Sequence, residues 1–258
     1  MNSSKTIGIV GGVGPYAGLD LAKKVFDQTI AKTDQEHLNV VLLSWPSLVP
    51  DRTAFLLGSS EEDPSVGIAH CLRALESAGA DVAGIACNTA HSPRLLDNVT
   101  AQLTTDGSRL VLINMIESVA DFIATHHPSA RRIGILATNG TVASNVYGAV
   151  LEQAGLEVVY PEKNIQHSRV HAAIYDSDYG IKAHSVPVTE HARTDILISA
   201  RHLLSDRSVD AIVLGCTELP LAVPERQFDG RPLIDASLIL ARALVAAADS
   251  SKLKPWRD

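Results

Sequence analysis

The chain has 258 residues, 46% of them apolar and 20% charged, with 29 Asp and Glu against 22 Lys and Arg for a net charge of −7. That balance excludes a disordered or membrane-embedded chain. It also argues against a nucleic-acid binder, which needs clustered cations to displace counterions from phosphates. At about 150 residues per domain the length suits one or two domains, and two lobes fit better.

After Met1-Asn2-Ser3-Ser4 the sequence enters an apolar strand without a signal-peptide pattern, which reads as a cytoplasmic protein with no membrane segment. Short Val/Ile/Leu runs then alternate with longer Ala/Leu-rich amphipathic stretches, the βα alternation of a parallel sheet covered on both faces. Strands are expected at residues 6–10, 39–43, 82–86, 110–113, 132–137, 157–160, 211–215 and 232–234, with helices filling most of the gaps. No Gly/Ser linker interrupts them. The class is α/β.

An internal repeat points to two related lobes. Ile7-Gly8-Ile9-Val10 is echoed by Ile133-Gly134-Ile135-Leu136, and Leu112-Ile113-Asn114 by Leu233-Ile234-Asp235. Ala80-Asp81-Val82 leads to Cys87 as Val209-Asp210-Ala211 leads to Cys216. The expected lobes are residues 1–107 plus 236–258 and residues 108–235.

The first strand is followed by Gly11-Gly12-Val13-Gly14-Pro15-Tyr16-Ala17, in which Gly12, Gly14 and Ala17 formally satisfy a dinucleotide-binding fingerprint. The second strand runs into Leu42-Leu43-Ser44-Trp45-Pro46, without the acidic residue that a ribose requires. We therefore expect a glycine turn that lets a small ligand approach the strand ends. No nucleotide cofactor is implied.

Of three cysteines, an odd number that favours free thiols, Cys71 sits inside a helical pattern and reads as packing. The other two end apolar strands and precede helix-start signals, in Cys87-Asn88-Thr89-Ala90-His91 and Gly215-Cys216-Thr217-Glu218. Asn88 or Thr89 could cap a helix there, and a helix N-terminus lowers a thiol pKa. Lobes related by a pseudo-two-fold axis would bring the two sulfurs to opposite sides of an interlobe cleft. That suits two-base racemisation, in which a thiolate removes a proton from one face of a carbon and a thiol returns one to the other. Such a pair titrates as a coupled unit, and donors at the helix starts, including Asn88 and Thr217, would stabilise the developing charge.

Thr138 and Thr141 could hold an α-carboxylate at a helix start or simply cap it. Glu218 could receive a substrate ammonium or favour its own helix dipole. The ten histidines show no metal-ligand spacing, so no metal is expected. His91, four residues after Cys87, could pair with a thiol.

Together the glycine turn, the Cys-Asn-Thr-Ala-His motif, Ala137-Thr138-Asn139-Gly140-Thr141 and Gly215-Cys216-Thr217-Glu218 resemble the aspartate/glutamate racemase family, in its aspartate-racemase branch, over nearly the whole chain. The resemblance implies two flavodoxin-like lobes, a cofactor-independent amino-acid racemase, Cys87 and Cys216 as the acid/base pair, and a homodimer. It assigns the substrate's distal carboxylate to Arg52, with Asp51 orienting it, and makes Lys182 in Tyr179-Gly180-Ile181-Lys182 a second carboxylate ligand. Asn88, Thr89, Thr138, Thr141, Thr217 and Glu218 are the further expected substrate contacts, and the resemblance puts His91 behind the site.

The expected substrate is aspartate, with glutamate open as a second. The alternatives are a single-cysteine enzyme of maleate isomerase or decarboxylase type and a catalytically silent binding protein for acidic amino acids. A silent binder would keep the cations but need neither thiol.

Overall fold

In a computed structural model, which describes residues 4–257, the chain divides into two compact units. One comprises the chain up to Ser118 together with the stretch from Ser237 onward, and the other is Val119–Ala236. The division falls later than the expected 107. The reason is strand pairing: residues 111 and 112 lie beside the third strand of the first unit.

The first unit is built on β1 (Ile7–Val10), β2 (Val40–Leu43), β3 (Val82–Ile85) and β4 (Val111–Leu112), all parallel, in the order β2-β1-β3-β4. Every residue of the central strands β1 and β3 is buried, as a parallel strand covered on both faces requires. The connections carry α1 (Pro15–Gln28), α2 (Arg52–Leu56), α3 (Pro64–Ser77) and α4 (Pro93–Thr105). Local chemistry sets the ends of α3. Asp63 accepts the Ser65 N–H, Pro64 opens the first turn, and Gly79 leaves it at a φ of +96°.

Helix α5 (Met115–His126) leads into the second unit, whose strands are β5 (Arg132–Leu136), β6 (Glu157–Val159), β7 (Ala211–Leu214), β8 (Gln227–Phe228) and β9 (Arg231–Asp235). Their order is β6-β5-β7-β9-β8, with β8 alone antiparallel. Between β5 and β6 lie α6 (Asn139–Ala143) and α7 (Val146–Leu151). Beyond β6 come α8 (Lys163–Ile165), a π-helical turn over Gln166–His171, α9 (Ala172–Tyr175) and α10 (Glu190–Ser205). Helix α11 (Leu219–Ala222) follows β7, and α12 (Ala236–Asp249) follows β9. No helix among the described residues is long and apolar enough to cross a membrane.

Leaving out the edge strand β8, both sheets share one order, second-first-third-fourth, which is the flavodoxin-like doubly wound arrangement. The sequence echoes fall on equivalent places. Gly8 and Gly134 each sit in a first strand where an added Cβ would lie 3.0 Å from a side chain, Ala80 in one unit and Leu203 in the other. Strand β8 has no counterpart in the sequence reading, because two residues are too few to show a period.

Candidate active site

In a doubly wound sheet, ligands bind beyond the carboxyl ends of the strands. Strand β3 ends at Ile85 and β7 at Leu214, so each third strand is followed two residues later by a cysteine, Cys87 or Cys216. Both are free thiols. Cys87 is 7% exposed and Cys216 5%.

The turns after the cysteines differ from the expected helix starts. Cys87 is followed by a three-residue 3-10 turn, Thr89–His91, and α4 begins only at Pro93. Asn88 is itself helical in backbone and forms no side-chain cap. Helix α11 has four residues. Segments this short do not sum an appreciable macrodipole.

At Cys216 the shift is upward. Burial pushes its thiol well above the ordinary range, the Glu218 carboxylate adds to this, and the Lys182 ammonium opposes it. The thiol donates to Glu218 Oε2 at 3.0 Å, Thr217 Oγ1 lies 3.2 Å from the same oxygen, and Lys182 Nζ meets Glu218 Oε1 at 2.7 Å. The Lys182 ammonium also lies 5.3 Å from the Tyr175 ring centre, on whose ring His171 stacks at 4.8 Å. Glu218 thus faces the thiol and Lys182. Lys182 follows Ile181, which is wholly buried, and its N–H donates to the Ile174 carbonyl, so this segment is anchored in the core of its unit.

Arg52 opens α2 and is 6% exposed. Its guanidinium donates to the carbonyl of Val13 in the glycine turn and to that of Pro50 at 3.1 Å, so it ties the turn after β1 to the segment after β2. Asp51 is the N-cap of α2, accepting the Ala54 N–H at 2.7 Å.

The glycine turn serves packing. A Cβ on Gly12 would stand 2.4 Å from the Trp45 nitrogen, and one on Gly18 would stand 2.5 Å from the Gly11 Cα. At Gly12 and Gly18 the chain's own backbone makes the close approach. Thr138 caps α6, its Oγ1 accepting the Thr141 N–H at 3.2 Å, and the two hydroxyls lie 3.1 Å apart. The neighbouring Asn139 N–H donates to His171 Nδ1 at 3.3 Å.

Two supporting residues were not assigned these places from the sequence. Tyr147 is fully buried against Gly215, where a Cβ would lie 3.0 Å from its ring. Burial pushes its phenol upward, with Tyr160, Cys216 and Asp235 adding to the effect. A lone Tyr in a helical stretch gives no signal of such a place. The His91 Nδ1 meets the Cys87 carbonyl at 2.8 Å. Burial draws its pKa down to about 4, against the opposing effect of the Cys87 and Ile113 carbonyls. Among the described residues no three His, Cys, Asp or Glu side chains are grouped to hold a metal ion.

A family model described as Asp/Glu/Hydantoin racemase matches residues 10–244. The chain is 25% identical to the broad specificity amino-acid racemase RacX of Bacillus subtilis over 246 residues, 93% of this chain and 96% of the relative. Among solved structures, it is similar to the Picrophilus torridus aspartate racemase, with a TM-score of 0.78, 30% identity, and coverage of 97% of this chain and 96% of that one. The glutamate racemase of Francisella tularensis, solved with D-glutamate, shares the fold at a TM-score of 0.59 and 16% identity, over 98% of this chain and 85% of that one. With the match spanning most of the chain and both units, this protein belongs to the Asp/Glu/Hydantoin racemase family.

Proposed function

We propose that the protein interconverts the L and D forms of an acidic amino acid, aspartate first, by two-base proton transfer between Cys87 and Cys216. The observation that carries this reading is that two units of one strand order each place a buried cysteine two residues beyond the third strand. A single-cysteine enzyme or a silent binding protein would need only one such position or neither.

In the proposed reaction one cysteine, as thiolate, takes the α-proton, and the other, as thiol, delivers its proton to the opposite face. The two sulfurs exchange protonation states at each turnover. Cys216 suits the thiol state, because burial and Glu218 both disfavour its ionisation. Once it has given up its proton, the Lys182 ammonium is the nearby charge that favours the thiolate. Lys182 and Arg52 are the cations for the substrate's carboxylates, and Arg suits a bidentate pairing. The hydroxyls of Thr89, Thr138, Thr141 and Thr217 and the Asn88 amide are the donors for the developing charge.

The test is proton exchange. Each aspartate enantiomer is incubated with the protein in deuterated water, and α-deuterium incorporation is followed together with optical rotation, with glutamate as a parallel arm. We expect exchange and racemisation from both enantiomers, and Cys87→Ala and Cys216→Ala each to abolish racemisation. Full turnover in either variant overturns the two-thiol reading, and no exchange with any amino acid leaves a binding protein.

A further inference from the structure

The backbone around Cys87 has left the sheet ladder. Its N–H donates back to the Ile85 carbonyl at 2.8 Å, and its own carbonyl accepts from His91 Nδ1 at 2.8 Å. The carbonyl accepts only, so this nitrogen carries the ring's proton. The His91 N–H donates in turn to the Asn88 carbonyl at 3.0 Å, which closes the turn on itself. The ring is 4% exposed, and its Nε2 is buried without a hydrogen bond of good geometry. A histidine buried this deeply, with one nitrogen committed to the cysteine's own peptide, contributes more than filling.

We propose that His91 is the positioning residue of Cys87, holding the Cys87–Asn88 peptide in one orientation through the Cys87 carbonyl. A trans peptide is planar, so fixing its C=O also fixes the Asn88 N–H in the opposite direction. The Cys87 side chain and the Asn88 N–H are therefore presented together, at an angle set by an imidazole behind them. Without the ring the buried carbonyl loses this donor, and the peptide turns to recover one. This inference rests on the reading of Cys87 as an acid/base group, but its test does not depend on turnover.

The experiment measures alkylation of the full-length protein by iodoacetamide at pH 8, resolved by site with mass spectrometry, in the wild type and in His91→Leu, His91→Asn and His91→Gln. Asparagine sets an amide donor near the place of Nδ1, whereas glutamine carries its amide out toward Nε2. We expect the leucine and glutamine variants to slow Cys87 by about tenfold while Cys216 stays within about twofold, and asparagine to restore Cys87 to within about threefold. The kcat for racemisation should follow the same order with KM unchanged. An unchanged or faster Cys87 in the leucine and glutamine variants overturns the proposal. So does a parallel change at Cys216, or an asparagine variant no better than leucine. Where circular dichroism shows the leucine variant unfolded, the asparagine and glutamine pair decides. A wild type inactive on every amino acid would remove the proposed reaction, yet the alkylation ratios would still judge His91.

Discussion

A thiol 3.0 Å from a buried carboxylate is held protonated, and a lysine on the carboxylate's other oxygen limits how firmly. Cys216, Glu218 and Lys182 form such a set within one unit. Replacing Glu218 with Gln removes the negative charge that raises the thiol pKa and keeps an acceptor of similar shape. Ionisation of Cys216 should become easier, with alkylation at pH 8 rising by about tenfold, the effect of one pKa unit. Unchanged alkylation at Cys216 would remove Glu218 from that role. His91 provides a second residue-scale prediction, through pH. Its ordinary pKa of 6.5 falls to about 4 in the folded chain, so between those values the unfolded state binds more protons. Stability is undiminished above pH 6.5 and declines as the pH falls toward 4, by about 3 kcal/mol for this one group. Urea unfolding at pH 7 and pH 4.5 measures the loss, and His91→Asn should reduce it.

At the scale of elements, the turn after β1 and the segment after β2 form one packed joint. Gly12 lies against the Trp45 backbone, and the Arg52 guanidinium reaches the Val13 carbonyl. A Cβ at Gly12 would meet backbone at 2.4 Å, where no flexible side chain can yield, so Gly12→Ala should cost about 1–3 kcal/mol. Thermal unfolding reads this directly, and an unaltered midpoint would mean that the joint relaxes freely. The joint also orients Arg52, so the same variant should raise the KM for aspartate more than it lowers kcat. The three-residue turn after Cys87 and the four-residue α11 show how little helix these cysteines have beyond them. Neighbouring side chains, more than a helix dipole, tune Cys216.

For the whole molecule, the repeated strand order gives each unit one thiol just beyond its third strand, Cys87 or Cys216, so damage confined to one unit should leave the other cysteine's chemistry readable. Acid brings out a feature of the second unit. Asp210 accepts the backbone N–H groups of Arg132 and Arg131, which hold its carboxyl below the usual aspartate range. That support is present above pH 3.8 and is lost as the pH falls through the lower folded value. Acid unfolding should therefore have two windows, the upper from His91 in the first unit alone and the lower shared by depressed carboxyls in both units, Glu76 in the first and Asp210 in the second. Hydrogen exchange resolved by segment can separate them, and a single common transition would show that the units unfold together.

The α/β class, the strand positions to within a residue or two and the equivalent strand-end places of Cys87 and Cys216 were legible without coordinates. Hydrophobic period and strand-end position are local properties, and a duplicated unit repeats them. The partners of each side chain were not legible, because they come from distant segments brought together by the sheet. Lys182 meets Glu218 across 36 positions, Arg52 meets Val13 across 39, and Tyr147 lies under Gly215. The sequence by itself determined which reactive side chains are present and which strand ends carry them. The tertiary structure decided that the glycine turn packs against its own chain, that burial and Glu218 raise the Cys216 thiol pKa, and that the His91 ring meets the Cys87 carbonyl. Burial and charge neighbours set these outcomes, and neither exists until the sheets are assembled.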